Sequence, residues 1–142
     1  MFFSAFRSAA RRPNDRKPPL PLAGCRVAAG FPSPADDFTD GALDLNDLVR
    51  HPAASFVVRV AGESMAGVGI HDGDLLIVDR SLEARPNHIV VAAVGGEMTV
   101  KRLEKRQGVW WLIPANPAFR ATVLPPDGEI WGVVTYTIKR HV

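Results

Sequence analysis

Ser64 and Lys101 are the two side chains in this sequence whose types could perform hydrolysis together. Ser64 lies in Gly62-Glu63-Ser64-Met65, with further glycines at Gly67 and Gly69, and Lys101 lies in Glu97-Met98-Thr99-Val100-Lys101-Arg102-Leu103. A serine hydroxyl is a weak nucleophile until a base takes its proton, and a neutral lysine amine can replace imidazole as that base. A glycine-bearing loop can expose the hydroxyl and turn backbone N–H groups, here those of Ser64 and Met65, toward a developing oxyanion. Most serines in such loops only make turns, so the lysine is the more informative residue. An ordinary lysine, near pKa ~10.4, is neutral in roughly one molecule in 2,500 at pH 7. Burial in an apolar site can lower that pKa by ~3–5 units, which makes an effective base. Arginine cannot serve, because it does not deprotonate.

These residues need elements to hold them, and the patterning from residue 56 onward is that of strands. Apolar or β-branched runs at 56–60, 74–79, 88–94, 97–103, 109–113 and 130–138 are separated by turn signals at Asp72-Gly73, Arg85-Pro86-Asn87, Gly95-Gly96, Gln107-Gly108, Asn116-Pro117 and Asp127-Gly128. Gly95-Gly96 has the form of a two-residue hairpin turn. Short strands at this spacing predict a mainly β fold, a compact antiparallel body folded over on itself. Side chains alternate along a strand, so Thr99, Lys101 and Leu103 share one face and Met98, Val100 and Arg102 the other. Each face carries one cation, and periodicity leaves open which of Lys101 and Arg102 points inward. Leu45, Leu48 and Val49 fit one or two helical turns stopped by His51-Pro52.

Other chemistries find less support. His51, His71, His88 and His141 with Asp72, Asp74 and Asp79 supply the types for a Ser-His-Asp site. However, His71 sits beside an Asp-Gly-Asp turn, and His88 opens a strand with no acid at an obvious partner position. Cys25 is the single cysteine, so no disulfide closes within the chain and no Cys/His cluster has metal spacing; no cofactor is implied. That usage fits a reducing cytoplasm. No run approaches the roughly 18 apolar residues that a membrane span requires.

At 142 residues with 46% apolar side chains, the chain has one domain's worth of core. Its net charge of +2 is unevenly placed. Residues 1–29 carry Arg7, Arg11, Arg12, Arg16, Lys17 and Arg26 against Asp15, a balance of +5, so the remainder carries −3. An acidic body argues against general DNA binding by the globular part. The opening twelve residues place their positive charge after the apolar residues, the reverse of a signal peptide. Pro13, Pro18, Pro19 and Pro21 make the following stretch extended, so residues 1–29 read as a flexible basic arm. At its end, Ala28-Ala29-Gly30 leaves the backbone open to close approach, as a scissile segment requires; the plainer reading is the end of a linker.

The residues together resemble one family. Arg26-Val27-Ala28-Ala29-Gly30, Gly30-Phe31-Pro32-Ser33-Pro34-Ala35, Gly62-Glu63-Ser64-Met65, Gly69-Ile70-His71-Asp72-Gly73-Asp74-Leu75-Leu76-Ile77-Val78-Asp79 and Thr99-Val100-Lys101-Arg102-Leu103 are similar to the motifs of the UmuD/LexA family of self-cleaving proteins, in the family's order. The likeness runs from about Pro21 to the C-terminus and leaves out the first twenty residues. Asp44-Leu45-Asn46 and Ile113-Pro114-Ala115-Asn116 are most like the UmuD branch. The resemblance implies a body of the LexA C-terminal/UmuD type, with Ser64 as nucleophile, Lys101 as general base and Ala29-Gly30 as the bond cut. The UmuD branch usually carries Cys-Gly at that bond and the repressor branch Ala-Gly, so Cys25 is not the cleavage residue. The expected division is then a removable arm, 1–29, and a Ser-Lys peptidase and dimerisation domain, 30–142.

By the same resemblance, the expected function is self-cleavage stimulated by a RecA–single-stranded DNA filament in the SOS response. The shortened homodimer would join a UmuC-like Y-family polymerase in error-prone translesion synthesis. The 29 residues before the bond lack two helical periods, so sequence-specific DNA binding is not expected; without an apolar run of spanning length, neither is membrane attachment. The alternatives are a non-catalytic β-rich binding module, a LexA-like repressor fragment without its DNA-binding domain, and a trans-acting peptidase of the signal-peptidase type.

Overall fold

The computed structural model describes residues 18–24, 26–30 and 39–142; Cys25, the first part of the arm (1–17) and the stretch 31–38 lie outside the described residues. Residues His51–Val142 form one compact unit, and the described residues up to Arg50 belong to another.

The smaller unit holds a hairpin that the sequence pattern did not suggest. Strand β1 (Leu20–Ala23) pairs antiparallel with β2 (Thr39–Leu43), with Leu20 opposite Leu43, Pro21 opposite Ala42 and a register irregularity before Ala23. Prolines suggested a linker here, but each strand of a two-stranded ribbon has an outer edge where a missing N–H costs no ladder bond. Residues Leu45–Leu48 then make one 3-10 turn, whose first turn is capped by Asp44 Oδ1 accepting the Asn46 N–H at 2.9 Å.

The larger unit is a seven-stranded sheet. In chain order its strands are β3 (Ser55–Arg59), β4 (Leu75–Asp79), β5 (Ile89–Val94), β6 (Glu97–Arg106), β7 (Val109–Ile113), β8 (Thr122–Val123) and β9 (Glu129–Ile138). They lie side by side in the order β3-β4-β9-β5-β6-β7-β8, and every pairing is antiparallel. The six strands read from the sequence are β3 to β7 and β9, and except for β6 their ends shift by at most one residue. β6 continues to Arg106 because its polar end is still half apolar: Lys105 Nζ lies 4.9 Å from the Trp110 ring centre and the Arg106 guanidinium 5.1 Å from that of Trp111. At Gly95-Gly96 both residues have positive φ, 59° and 77°, the conformation a primed two-residue turn demands.

The sheet folds over at β9. Its first half pairs with β5 and its second with β4, so Val133 lies opposite both Val90 and Asp79. The register slips twice, once beside Ile77/Val78 and once beside Val91/Ala92. Such bulges increase twist and bend the strand that carries them. Two apolar clusters result, separated by the alternation of β5. Val91 packs with Met65, Ile70, Leu76 and Val78, while Val90 and Ala92 pack with Leu103, Leu112 and Val133. Among the described residues no helix is long and apolar enough to cross a membrane.

Leu103 is fully buried in the second cluster, whereas Val109, on the neighbouring strand, is 45% exposed. Leu103→Ala should cost about 2–5 kcal/mol and lower the urea midpoint without changing the slope, while Val109→Ala should stay within about 0.5 kcal/mol of wild type.

Candidate active site

Ser64 lies in the loop between β3 and β4, and three anchors hold that loop. The first is Met65, whose side chain is 2% exposed and packs into the first apolar cluster. The second is the 71–74 turn. The Gly62 N–H donates to Asp72 Oδ1 (2.8 Å), the Asp72 N–H donates to Glu63 Oε1 (3.3 Å), and Glu63 Oε2 meets His71 Nδ1 at 2.9 Å. The third is the segment after β7. The Ala115 N–H donates to the Ser64 carbonyl (2.8 Å), the Gly67 N–H to the Ala115 carbonyl (2.6 Å), and Asn116 Nδ2 to the Glu63 carbonyl (2.9 Å). Only glycine fits at position 67, since a Cβ there would lie 2.4 Å from the Ala115 oxygen.

β6 supplies the amine. Lys101 is opposite Val90 and Thr99 is opposite Ala92, so the two polar side chains share one face. Lys101 Nζ lies 2.9 Å from Ser64 Oγ, 2.8 Å from Thr99 Oγ1 and 3.0 Å from the Val100 carbonyl. Arg102 takes the other face and donates to Asn87 Oδ1 at 3.2 Å. The choice that alternation left open is therefore made by the fold: the amine, not the guanidinium, meets the serine.

The surroundings of Nζ favour its neutral form. Lys101 is half-buried, and this loss of hydration lowers its pKa from the ordinary 10.5. Among the described residues no carboxylate forms an ion pair with it. A neutral amine has two N–H donors and one lone pair. It can donate to the Val100 carbonyl and Thr99 Oγ1 while its lone pair accepts the Ser64 O–H, which is the arrangement a base needs before proton transfer. Next to it, the backbone N–H groups of Ser64 and Met65 meet no acceptor among the described residues.

The histidines are placed elsewhere. His71 is held by Glu63, His88 Nδ1 accepts the Arg85 N–H at 3.1 Å, and His51 Nδ1 lies 2.6 Å from Asp79 Oδ2. Among the described residues no imidazole bonds to Ser64, and no group of three or more His, Cys, Asp or Glu side chains could hold a metal ion. Ala29 and Gly30 belong to the smaller unit, where they form an exposed bend in the chain between β1 and β2.

The sequence singled out Ser64, Met65 and Lys101, and the structure brings Ser64 and Lys101 together; their supports carried less signal. Thr99 carried a signal, because it precedes Lys101 by two residues on the same face. The Asn116 and His71 clamps carried none, since they bond to Glu63 across gaps of 53 and 8 residues that no local pattern links.

The chain is similar to known proteins over most of its length. The pattern of the Peptidase S24-like family matches residues 21–135. Protein MucA of Salmonella typhimurium is 48% identical over 126 residues, which is 86% of this chain and 86% of MucA. Protein SamA of Salmonella typhimurium strain LT2 is 46% identical over 84% of this chain and 85% of its own length. The LexA repressor of Pseudomonas chlororaphis is 44% identical over 76% of this chain, which corresponds to 52% of that repressor.

Two outcomes test this description. Gly67→Ala should lower stability by about 1–3 kcal/mol, read as a lower urea midpoint, because the new methyl meets backbone, which cannot move aside. Burial of Asp79 would raise its carboxyl, but hydrogen bonds from Ser81 and His51 outweigh that and bring it from 3.8 down to about 2. Its charge therefore stabilises the fold fully above the ordinary value and loses that effect as pH falls toward 2. Asp79→Asn should be less stable than wild type near pH 6, with the gap closing through that acid window in pH-dependent unfolding scans.

Proposed function

The chain belongs to the Peptidase S24-like family, and on that footing we propose that it is a UmuD-like serine peptidase that cuts itself between Ala29 and Gly30. The observation that carries this reading is the 2.9 Å contact between Lys101 Nζ and Ser64 Oγ, made by a half-buried amine that forms no ion pair among the described residues.

In this reading the neutral Lys101 amine takes the Ser64 proton as Oγ attacks the Ala29 carbonyl carbon. The resulting oxyanion is held by the N–H groups of Ser64 and Met65. Lys101, now an ammonium, gives its proton to the Gly30 nitrogen as the C–N bond breaks, leaving Ala29 esterified to Ser64. Water then attacks the ester, losing a proton to Lys101, and the proton returns to Ser64 Oγ as residues 1–29 depart. The substrate is tethered, so a high local concentration compensates for modest chemistry. Small side chains at Ala28, Ala29 and Gly30, exposed in a bend, suit entry of that backbone into a cleft as an added strand.

Control of such a reaction lies in how often the arm occupies the cleft. A partner that binds the occupied state more tightly raises that population. The motif likeness to the UmuD branch supports a RecA–single-stranded DNA filament as this partner, in the SOS response of the cytoplasm. It equally supports a shortened homodimer, 30–142, that works with a Y-family polymerase in translesion synthesis. The chain then acts on a peptide bond and on protein partners.

Incubation of the purified chain across pH ~7 to ~10, followed by mass spectrometry, tests the chemistry. Cleavage between Ala29 and Gly30 should speed up about tenfold per pH unit while the amine is protonated, and level off at a midpoint below 10.5. Ser64→Ala, Lys101→Ala and Lys101→Arg should give no fragment. An intact wild type at every pH, or a Lys101→Ala variant cut at the wild-type rate, would leave only a β-rich binding module. Addition of RecA filaments at neutral pH should accelerate the same cut and no other.

A further inference from the structure

Two peptide planes at the serine are held from outside the loop, and both are held by the same short segment. The Glu63–Ser64 plane carries the Glu63 carbonyl at one edge and the Ser64 N–H at the other. The Ser64–Met65 plane carries the Ser64 carbonyl and the Met65 N–H in the same way. Across a trans peptide the C=O and N–H lie in one plane and point in opposite directions, so fixing one fixes the other. Asn116 Nδ2 donates to the Glu63 carbonyl at 2.9 Å, and the Ala115 N–H donates to the Ser64 carbonyl at 2.8 Å. The two N–H groups on the far edges of these planes are the ones that meet no acceptor among the described residues.

We infer that Asn116 is a positioning residue for the self-cleavage proposed above: its side-chain amide aims the Ser64 N–H at the oxyanion by holding the opposite edge of the same peptide. The Ala66 N–H also reaches the Glu63 carbonyl, at 3.1 Å, but it belongs to the loop being oriented and moves with it. Asn116 belongs to a different part of the chain. Its own orientation is set by Oδ1, which accepts the Ala118 N–H at 3.0 Å and leaves Nδ2 facing the loop. The inference rests on the self-cleavage reading, because an oxyanion donor has a role only if Ser64 attacks a carbonyl.

Two replacements separate the amide donor from the rest of the side chain. Asn116→Asp keeps an oxygen for the Ala118 N–H but loses the donor to Glu63. Asn116→Ala loses both bonds and adds no charge. If Asn116→Asp does not fold, Asn116→Ser, whose hydroxyl is too short to span the gap, takes its place. The readout is the pH profile of cleavage of the full chain. Its midpoint reports Lys101, and its plateau reports stabilisation of the oxyanion. Both variants should lower the plateau by about 10²-fold, the lower end of the loss on removing one oxyanion donor, with the midpoint unmoved. A wild-type plateau in Asn116→Asp, with cleavage lost only in Asn116→Ala, would assign the effect to the turn and overturn the inference. A midpoint that shifts in both variants would overturn it too, since the Ser64–Lys101 contact would then be what Asn116 supports. A wild type that is never cut removes the self-cleavage reading itself, and this inference with it.

Discussion

A lysine amine is among the hardest groups to keep uncharged in water, and the proposed role of Lys101 as a base depends on the fold lowering that cost at one atom. Lys101 Nζ is half-buried, faces two hydroxyls and one carbonyl, and forms no ion pair among the described residues. A nearby carboxylate would hold the amine charged and cancel the effect of burial. The contrast with Lys139 is direct. That amine lies 2.6 Å from Asp74 Oδ2, an ion pair that holds the Asp74 carboxyl below its ordinary value. The partners at the two amine tips differ: a carboxylate for Lys139, two hydroxyls and a carbonyl for Lys101.

The rest of the unit can be understood as what presents Ser64 to that amine. Lys101 lies where β6 pairs with β5, opposite Val90, and from Arg102 onward β6 pairs with β7, so one ladder takes over where the other ends. The serine has no such ladder, because it lies in a loop. Its position comes from a buried Met65, a glycine that admits the Ala115 carbonyl, and polar clamps from the 71–74 turn and from Ala115–Asn116. These clamps come from segments remote in sequence. A loop fixed at several points can hold a hydroxyl within hydrogen-bond reach of a strand residue, which a loop with free ends would not do.

On the self-cleavage proposal, the substrate lies in the same chain. Ala29 and Gly30 are exposed, flanked by strands that pair with each other, and belong to a unit distinct from the one that carries Ser64 and Lys101. Membership in the S24-like peptidases, with about half of the residues shared with MucA and SamA over most of the length, is consistent with a peptide bond as the target.

By itself the sequence determined the strand content of the larger unit, because period-two alternation between turn residues is a local property. The six runs became β3 to β7 and β9, and Gly95-Gly96 became a hairpin turn since two successive positive φ values favour glycine. It also determined which residue types could do chemistry, Ser64 and Lys101, because type and motif are properties of the chain. It did not determine the β1–β2 ribbon, where pairing at an outer edge overrides the prolines. Nor did it determine which cation of β6 meets the serine. Only tertiary structure decided that, because the two faces of a strand are equivalent until other segments cover them. The fold placed the Ser64 loop against the Lys101 amine and left Arg102 to Asn87. The clamps at Glu63 and Ser64 depended on the tertiary structure for the same reason: their partners are neighbours in space alone.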